Sequence, residues 1–472
     1  MAEHREELIR EIQDVVRIPS VSRPDQAAPG APFGPECRRV LDHMLARGKS
    51  WGFRTRDLDG WAGTVSMGDE ERAIGIVAHL DVVPVGEGWV YPPFGGTWLP
   101  EHNALIGRGG DDNKGPAVAS LFLMRMIRDL QIPMRSGIRL YCGVSEENGM
   151  MDMRHIRENG ERFPEVSLVP DARFPVNYGQ KGSLKGHIRA RAEGNLLSFR
   201  AGSALNIIPD LAECEALVSP AEALEAAGRL GKDLRETLEM EETPAGVRIR
   251  AHGVSGHAAA PENSVDAIHL LCAALAEMGI LTGSGREAVG DLAKLTADGW
   301  CESEGAAFED EISGKTTLVY STADLADGLL TVGVDCRYSI TYDIAELRDR
   351  LDRAWEKRGF AGAGITVTRP FHIPKNDARV TVLQEVYRDL TGLEDPPYTM
   401  GGGTYSREVP DAISFGYGMP GVKRDLSFLP EGHGGAHGRD EVLWMDKVEN
   451  GMKLYLGALL ALDGLLQADK RE

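Results

Sequence analysis

Five stretches of this sequence place acids or histidines where an apolar run stops. In AIGIVAHLDVVP the run Ala73 to Ala78 ends in His79-Leu80-Asp81. Residues two apart on a strand share a face, so an imidazole and a carboxylate would emerge together. At the carboxyl end of a sheet strand, where α/β folds bind ligands, this is a usable metal corner. Taken alone it reads more simply as a capped strand end. GRGGDDNKGP, Gly107 to Pro116, sets Asp111 and Asp112 in a glycine-rich turn ahead of an apolar helix. There a carboxylate either meets a ligand at close range or caps the helix. In YCGVSEENG the strand Leu140 to Val144 delivers Glu146 and Glu147 side by side, one able to ligate a metal while the other serves as general acid/base. VSLVPDARFP is a further apolar strand, ending in Asp171, and EGHGGAHGRDE carries His433 and His437. The i, i+4 histidines have helical zinc spacing, but the glycines between them disfavour a helix, which leaves a loop presenting one ligand. Together, two histidines and three carboxylates suit two zinc ions sharing a bridging carboxylate.

These residues need a sheet to bring them together. The short apolar runs Ala73 to Ala78, Ile138 to Val144 and Val166 to Val169 read as strands, and Gly115 to Gln131 as an amphipathic helix between them. Helices are also expected at 4–16 and near 36–51, with a Ser/Pro/Gly/Ala-rich loop at 20–35. Strands alternating with helices make an α/β, mostly parallel sheet. After about residue 183 alternating segments such as Leu184 to Ala192 and Val247 to Ala251 indicate antiparallel strands. Helices near 220–240, 264–279 and 343–358 complete an α+β region, and the first style resumes near 373 with helices near 378–391 and 441–467. The expected organisation is one domain in two parts, 1–183 and 373–472, interrupted by an inserted α+β domain at 184–372.

The bulk properties exclude several classes. A chain of 472 residues exceeds one typical core. Its net charge of −20 repels phosphates, so neither nucleic acid nor an anionic membrane is an expected partner. The six cysteines (Cys37, Cys142, Cys214, Cys272, Cys301, Cys336) contain no C-x-x-C pair, which suits a reduced cytoplasmic chain. The charged N-terminal segment lacks the apolar core of a signal peptide, and no run of about 18 apolar residues occurs.

HLDVVP, GRGGDDNKGP, the EEN after a strand, PDARFPV followed by QKG, GGGTYSRE and a late H-x-x-x-E strongly resemble the co-catalytic zinc metallopeptidases, the family of aminoacylases, deacetylases and carnosinases. The nearest likeness is to PepV-type bacterial dipeptidases, and it runs from RIPSVS to Glu441. The resemblance implies a zinc-peptidase-like catalytic domain with an inserted lid. It implies two divalent metal ions, zinc with manganese or cobalt as alternatives. Asp112 is then the bridging ligand, His79 and Asp171 hold one metal, and Glu147 and His437 the other. Glu146 is the general base on the metal-bridging water, and Asp81 orients His79, touching nothing else. In the lid the resemblance gives His257 to the tetrahedral oxyanion and Asn206 to substrate. It gives Arg337 a bidentate grip on the substrate carboxylate, with Gly402, Gly403 and Thr404 closing over the same group. Asn113, Gln180, Ala436 and Gly438 depart from the family's usual residues, and His433 is an extra candidate.

The implied function is hydrolysis of unblocked dipeptides by a monomer, because the long insertion supplies what a partner subunit lends in relatives with a smaller lid. A deacylase of N-acyl amino acids would use the same metals and base. A non-catalytic metal-binding homologue is a third possibility, against which the complete set of ligands, Asp81 and Glu146 speaks.

Overall fold

The computed structural model describes residues 4–468. The chain forms two compact units. The first comprises the chain up to Tyr178, Ile373–Tyr398 and the chain from Gly403 onward; the second comprises Gly179–His372 and Thr399–Gly402.

The first unit is built on a mixed sheet ordered Arg54–Leu58, Ala62–Met67, Gly137–Gly143, Ala73–His79, Ser167–Val169, Ala412–Ser414. Its middle is parallel: Ala73–His79 runs parallel to both Gly137–Gly143 and Ser167–Val169, and Ala412–Ser414 continues in the same sense. The outer pairs are antiparallel. Both long central strands are buried at every residue, as strands covered on two faces must be. The connection between them contains the helix Gly115–Asp129, the long crossover that parallel neighbours require. Ala62 and Gly63 point to opposite faces of the sheet. On one face the helix Pro35–Ser50 lies so close that a methyl at Gly63 would sit 2.8 Å from Leu45. The other face carries Ala62, Val77, Tyr141, Met153, Ile156, Val169 and Tyr405 in one apolar cluster.

Parallel strands end on a common edge, and register decides which side chains meet there. His79 pairs with Gly143, and Ile76 with Leu168. His79 and Asp171, three residues beyond Ile76 and Leu168, therefore lie level, and the chain that leaves the third strand at Gly143, opposite His79, reaches Glu146 three residues later. A separate three-stranded sheet sets Val442–Trp444 antiparallel to Ala104–Ile106, with Val442 opposite Ile106. That pairing brings the segment ending in Glu441 alongside the turn starting at Gly107.

The second unit is an eight-stranded antiparallel sheet ordered Leu238–Thr243, Gly246–His252, Leu211–Ala216, Leu196–Ala201, Thr317–Ala326, Leu329–Tyr338, Gly182–Arg191, Ala361–Thr368. Val247, Ile249 and Ala251 face its core, joined there by Leu271 and Leu275 of the helix Ala267–Met278 and Leu292 of the helix Gly283–Leu295. Arg248 and Arg250 alternate outward against Glu213, Glu215, Glu239 and Glu241. One expectation fails here. The region 220–240 is two short helices, Pro220–Ala227 and Lys232–Glu236, followed by an edge strand from Leu238. Gly228 and Gly231 interrupt the helix, since glycine is unfavourable in a helix interior. Among the described residues no helix is long and apolar enough to cross a membrane, and all six cysteines are buried and free.

Candidate metal centre

His79 closes a strand that is buried throughout, and its imidazole is fixed from behind. Nδ1 donates to the backbone carbonyl of Asp81 at 3.0 Å, which leaves Nε2 to face the cluster. Nε2 lies 3.0 Å from Asp112 Oδ1 and 3.7 Å from Asp171 Oδ2. The second carboxylate oxygen of Asp112, Oδ2, lies 3.0 Å from His437 Nε2, and that nitrogen is 2.8 Å from Glu147 Oε1. Asp112 thus turns one oxygen to each of two histidines, each histidine accompanied by one further acid. The five residues expected as ligands are brought together.

Glu146 belongs to the same cluster. Ligand atoms of His79, Glu146 and Asp171 lie within 4.8 Å of one another, as do those of His79, Asp112 and Glu147. The electrostatics are those of a crowded acidic pocket. Burial, then the charge of Asp171, pushes Glu146 well above the ordinary carboxylate range. Burial, then Asp112, pushes Asp171 up to about 8. Hydrogen bonds to Asp112 and Glu147 push His437 up to about 11. Burial raises the proton affinity of three of these carboxylates, Glu146, Glu147 and Asp171, while the hydrogen bonds of Asp112 to His437 and His79 hold it ionised. Nitrogen and oxygen donors in two groups that share one carboxylate fit a pair of divalent cations. Ligands about 2.0–2.1 Å from a tetrahedral zinc stand roughly 3.3 Å apart, close to the separations seen here.

Asp81 is the clearest correction. The expectation that it touches only His79 does not hold: its carboxylate is fully buried, and its two oxygens accept the backbone N–H groups of Glu146 and Glu147, both at 3.0 Å. It meets His79 mainly through its carbonyl, the carboxylate lying 3.5 Å from Nδ1. Asp152, unforeseen, does the same for the two preceding residues. Its Oδ2 accepts the N–H of Val144 at 2.7 Å and of Ser145 at 2.9 Å, and also the hydroxyl of Tyr405 at 2.5 Å. The four amides from Val144 to Glu147 are therefore held by two buried carboxylates, which fixes where Glu146 and Glu147 point. A third buried acid, Glu441, accepts from the turn that carries Asp112. The clue to Asp152 in the sequence is an acid on the apolar side of a short helix, too common a feature to single out.

The remaining candidates separate cleanly. Asp111 is paired with Lys447 at 2.5 Å, and the Asn113 amide donates to the Pro170 carbonyl at 2.7 Å, next to Asp171. His433 turns to Asp440 at 2.5 Å, so His437 is the loop's histidine at the cluster. Thr404 is buried, and its hydroxyl caps a turn by accepting from Ser406 N–H and pairs with Ser414. Arg407 lies directly under Gly403, where a methyl would meet its guanidinium at 2.3 Å, whereas a methyl at Gly402 would meet nothing within 4 Å.

In the second unit His257 is exposed and its Nδ1 accepts the Ala259 N–H at 3.1 Å. The Asn206 carbonyl accepts from Ala258 N–H. Arg337 is buried, and its fork is bidentate to Asp335, Nε at 2.6 Å and Nη2 at 2.9 Å, while Nη1 donates to the Gly401 carbonyl at 2.9 Å. The expected bidentate grip on a substrate carboxylate does not fit this arrangement, because Asp335 already occupies that edge.

The sheet, the paired donor groups and sequence similarity converge. Residues 75–461 match the model of peptidase family M20/M25/M40, and the chain belongs to that family. It is 30% identical to a Bacillus subtilis protein described as "Putative dipeptidase YtjP", over 97% of each chain. It is 28% identical to a Staphylococcus epidermidis "Putative dipeptidase", over 98% of each. Among solved structures, human carnosine dipeptidase 1 matches with a TM-score of 0.58 at 15% identity, over 98% of both chains. The di-peptidase Dug1p of Saccharomyces cerevisiae matches with a TM-score of 0.57 at 12% identity, over 98% of this chain and 97% of that one. At these identities the structural likeness is one of fold.

Proposed function

We propose that this chain is a metal-dependent dipeptidase that cleaves the amide bond of unblocked dipeptides. The observation that carries the reading is Asp112, whose two oxygens serve two separate histidine–acid pairs; the dipeptidase descriptions of full-length relatives support the substrate class. His79, Asp112 and Asp171 would hold one cation, and Asp112, Glu147 and His437 the other, with zinc favoured by the nitrogen and oxygen donors and manganese or cobalt as alternatives. When bound, the cations polarise the scissile carbonyl and acidify water.

The chain's own residues do the rest. Glu146 takes the proton from the attacking water and returns it to the leaving amine. Burial raises its proton affinity, the direction required of a base that must later act as an acid. Asp81 holds the amides of Glu146 and Glu147 and so aims both carboxylates. From the inserted domain, taken as 184–372 and acting as a lid, His257 would stabilise the oxyanion and Asn206 would bind substrate. Arg337, tied to Asp335, would set the Gly401–Gly402 backbone, whose donors together with Gly403 and Thr404 close on the substrate carboxylate. A monomer is the proposed working state, and the free, buried thiols support a reducing, cytoplasmic setting.

Two substitutions test the roles together. Glu146→Gln should keep the wild-type metal content while turnover falls by a factor of about 10² to 10⁴. Asp112→Asn should lose metal, as read by elemental analysis. Full activity in Glu146→Gln would refute its role as base.

A further inference from the structure

The geometry points to Glu441 and Arg108 as a positioning pair that sets Asp112 and His437 on one frame, so that the two halves of the proposed cation centre keep their register. The inference rests on that centre and adds two residues that touch none of its donor atoms. Glu441 is fully buried, and both of its oxygens are used on one turn. Oε1 accepts the N–H groups of Asp111 at 2.9 Å and Asp112 at 3.1 Å; Oε2 accepts Gly109 N–H at 3.1 Å and Arg108 Nη1 at 2.7 Å. Arg108, 1% exposed, sends its other terminal nitrogen to the backbone carbonyl of His437 at 3.0 Å.

One carboxylate therefore fixes the backbone of Asp112, and the guanidinium bonded to it fixes the backbone of His437. All of these are hydrogen bonds with an ionised partner, the stronger kind. The residue types are demanded by the geometry. Four donors converge on Glu441, and a glutamine would turn its NH₂ toward half of them. Two acceptors in different directions call for a planar fork, which the single nitrogen of lysine does not offer. Asp112 must serve both histidines at once, so a rotation of its turn, or a shift of His437 alone, spoils the shared site while the cores of the fold stay intact.

The full chain loaded with zinc and challenged with a competing chelator tests this. In Glu441→Gln, retention of both zinc ions should weaken by a factor of roughly 10 to 100, the usual cost of removing a residue that orients metal ligands. In Arg108→Lys the loss should be uneven, one zinc ion leaving at lower chelator concentration than in wild type and the other retained. Thermal unfolding of the metal-free proteins separates this from a general loss of stability, which would lower the midpoint and leave zinc retention at 25 °C unchanged. Wild-type retention of both ions in either folded variant overturns the proposal. If Glu441→Gln fails to fold, Arg108→Lys decides alone. A wild-type chain that holds fewer than two zinc ions overturns the cation centre itself, and this inference with it.

Discussion

Asp112 and His437 show how much of the site lies in individual side chains. Both were visible in the sequence as an acid in a glycine turn and a histidine in a glycine loop. What could not be read was the set of carboxylates whose partners are backbone amides: Asp81, Asp152 and Glu441. Asp81 and Glu441 reach residues far away in the chain and Asp152 reaches back to the end of the preceding strand, and bonds to backbone amides carry no spacing signature. The same crowding of acids makes the metal-free chain sensitive to pH. Asp171 rises from an ordinary 3.8 to about 8 on folding, because of burial and Asp112. The stability it confers is complete below about pH 4 and is lost as pH rises through about 8. His437, raised from 6.5 to about 11 by its bonds to Asp112 and Glu147, acts in the same direction above its ordinary value. Asp112 is buried, yet its bonds to His437 and His79 hold it below the usual range, so its contribution disappears only in acid. Calorimetry of the metal-free chain should therefore show a midpoint lower by about several degrees at pH 8.5 than at pH 6. Saturating manganese should remove most of that difference, because the cations replace the retained protons. A flat profile without metal would contradict the crowding.

At the scale of elements, periodicity revealed the strands that carry the site, since buried parallel strands leave continuous apolar runs. It failed where glycines divide a charged helix at Gly228 and Gly231, and it passed over the helix Gly283–Leu295, whose glycines mask its apolar stripe. Register does the remaining work: a one-residue slip would turn His79 to the opposite face. The strand end at Gly143 leaves no room for a side chain. A methyl there would lie 2.0 Å from the Tyr405 hydroxyl and 2.7 Å from Asp152 Oδ2. Gly143→Ala should displace Tyr405, break its bond to Asp152 and lower stability by about 1–3 kcal/mol in urea unfolding. Turnover should fall as well, because the turn bearing Glu146 hangs from Asp152. A variant with wild-type stability and activity would show that the Tyr405–Asp152 contact is dispensable.

For the whole molecule, the mixed-sheet unit and the antiparallel unit were each legible as a style of sequence, alternating strand and helix in one and period-two strands in the other. The acidic surface, with net charge −20, fits a small substrate better than a polyanion. Which small substrate was least legible, because a dipeptide and an N-acyl amino acid place the same amide before the same cluster. They differ in what lies ahead of that amide, an amino-acid residue with a free ammonium in the one and a plain acyl group in the other. The most direct measurement is therefore a comparison of kcat/KM for unblocked Ala-Leu and N-acetyl-leucine on the zinc-, manganese- and cobalt-loaded chain, with the chelated chain as control. The expected result is metal-dependent hydrolysis of Ala-Leu with little or none of N-acetyl-leucine. Hydrolysis of N-acetyl-leucine alone would contradict the dipeptidase assignment while leaving the metal centre and Glu146 in place.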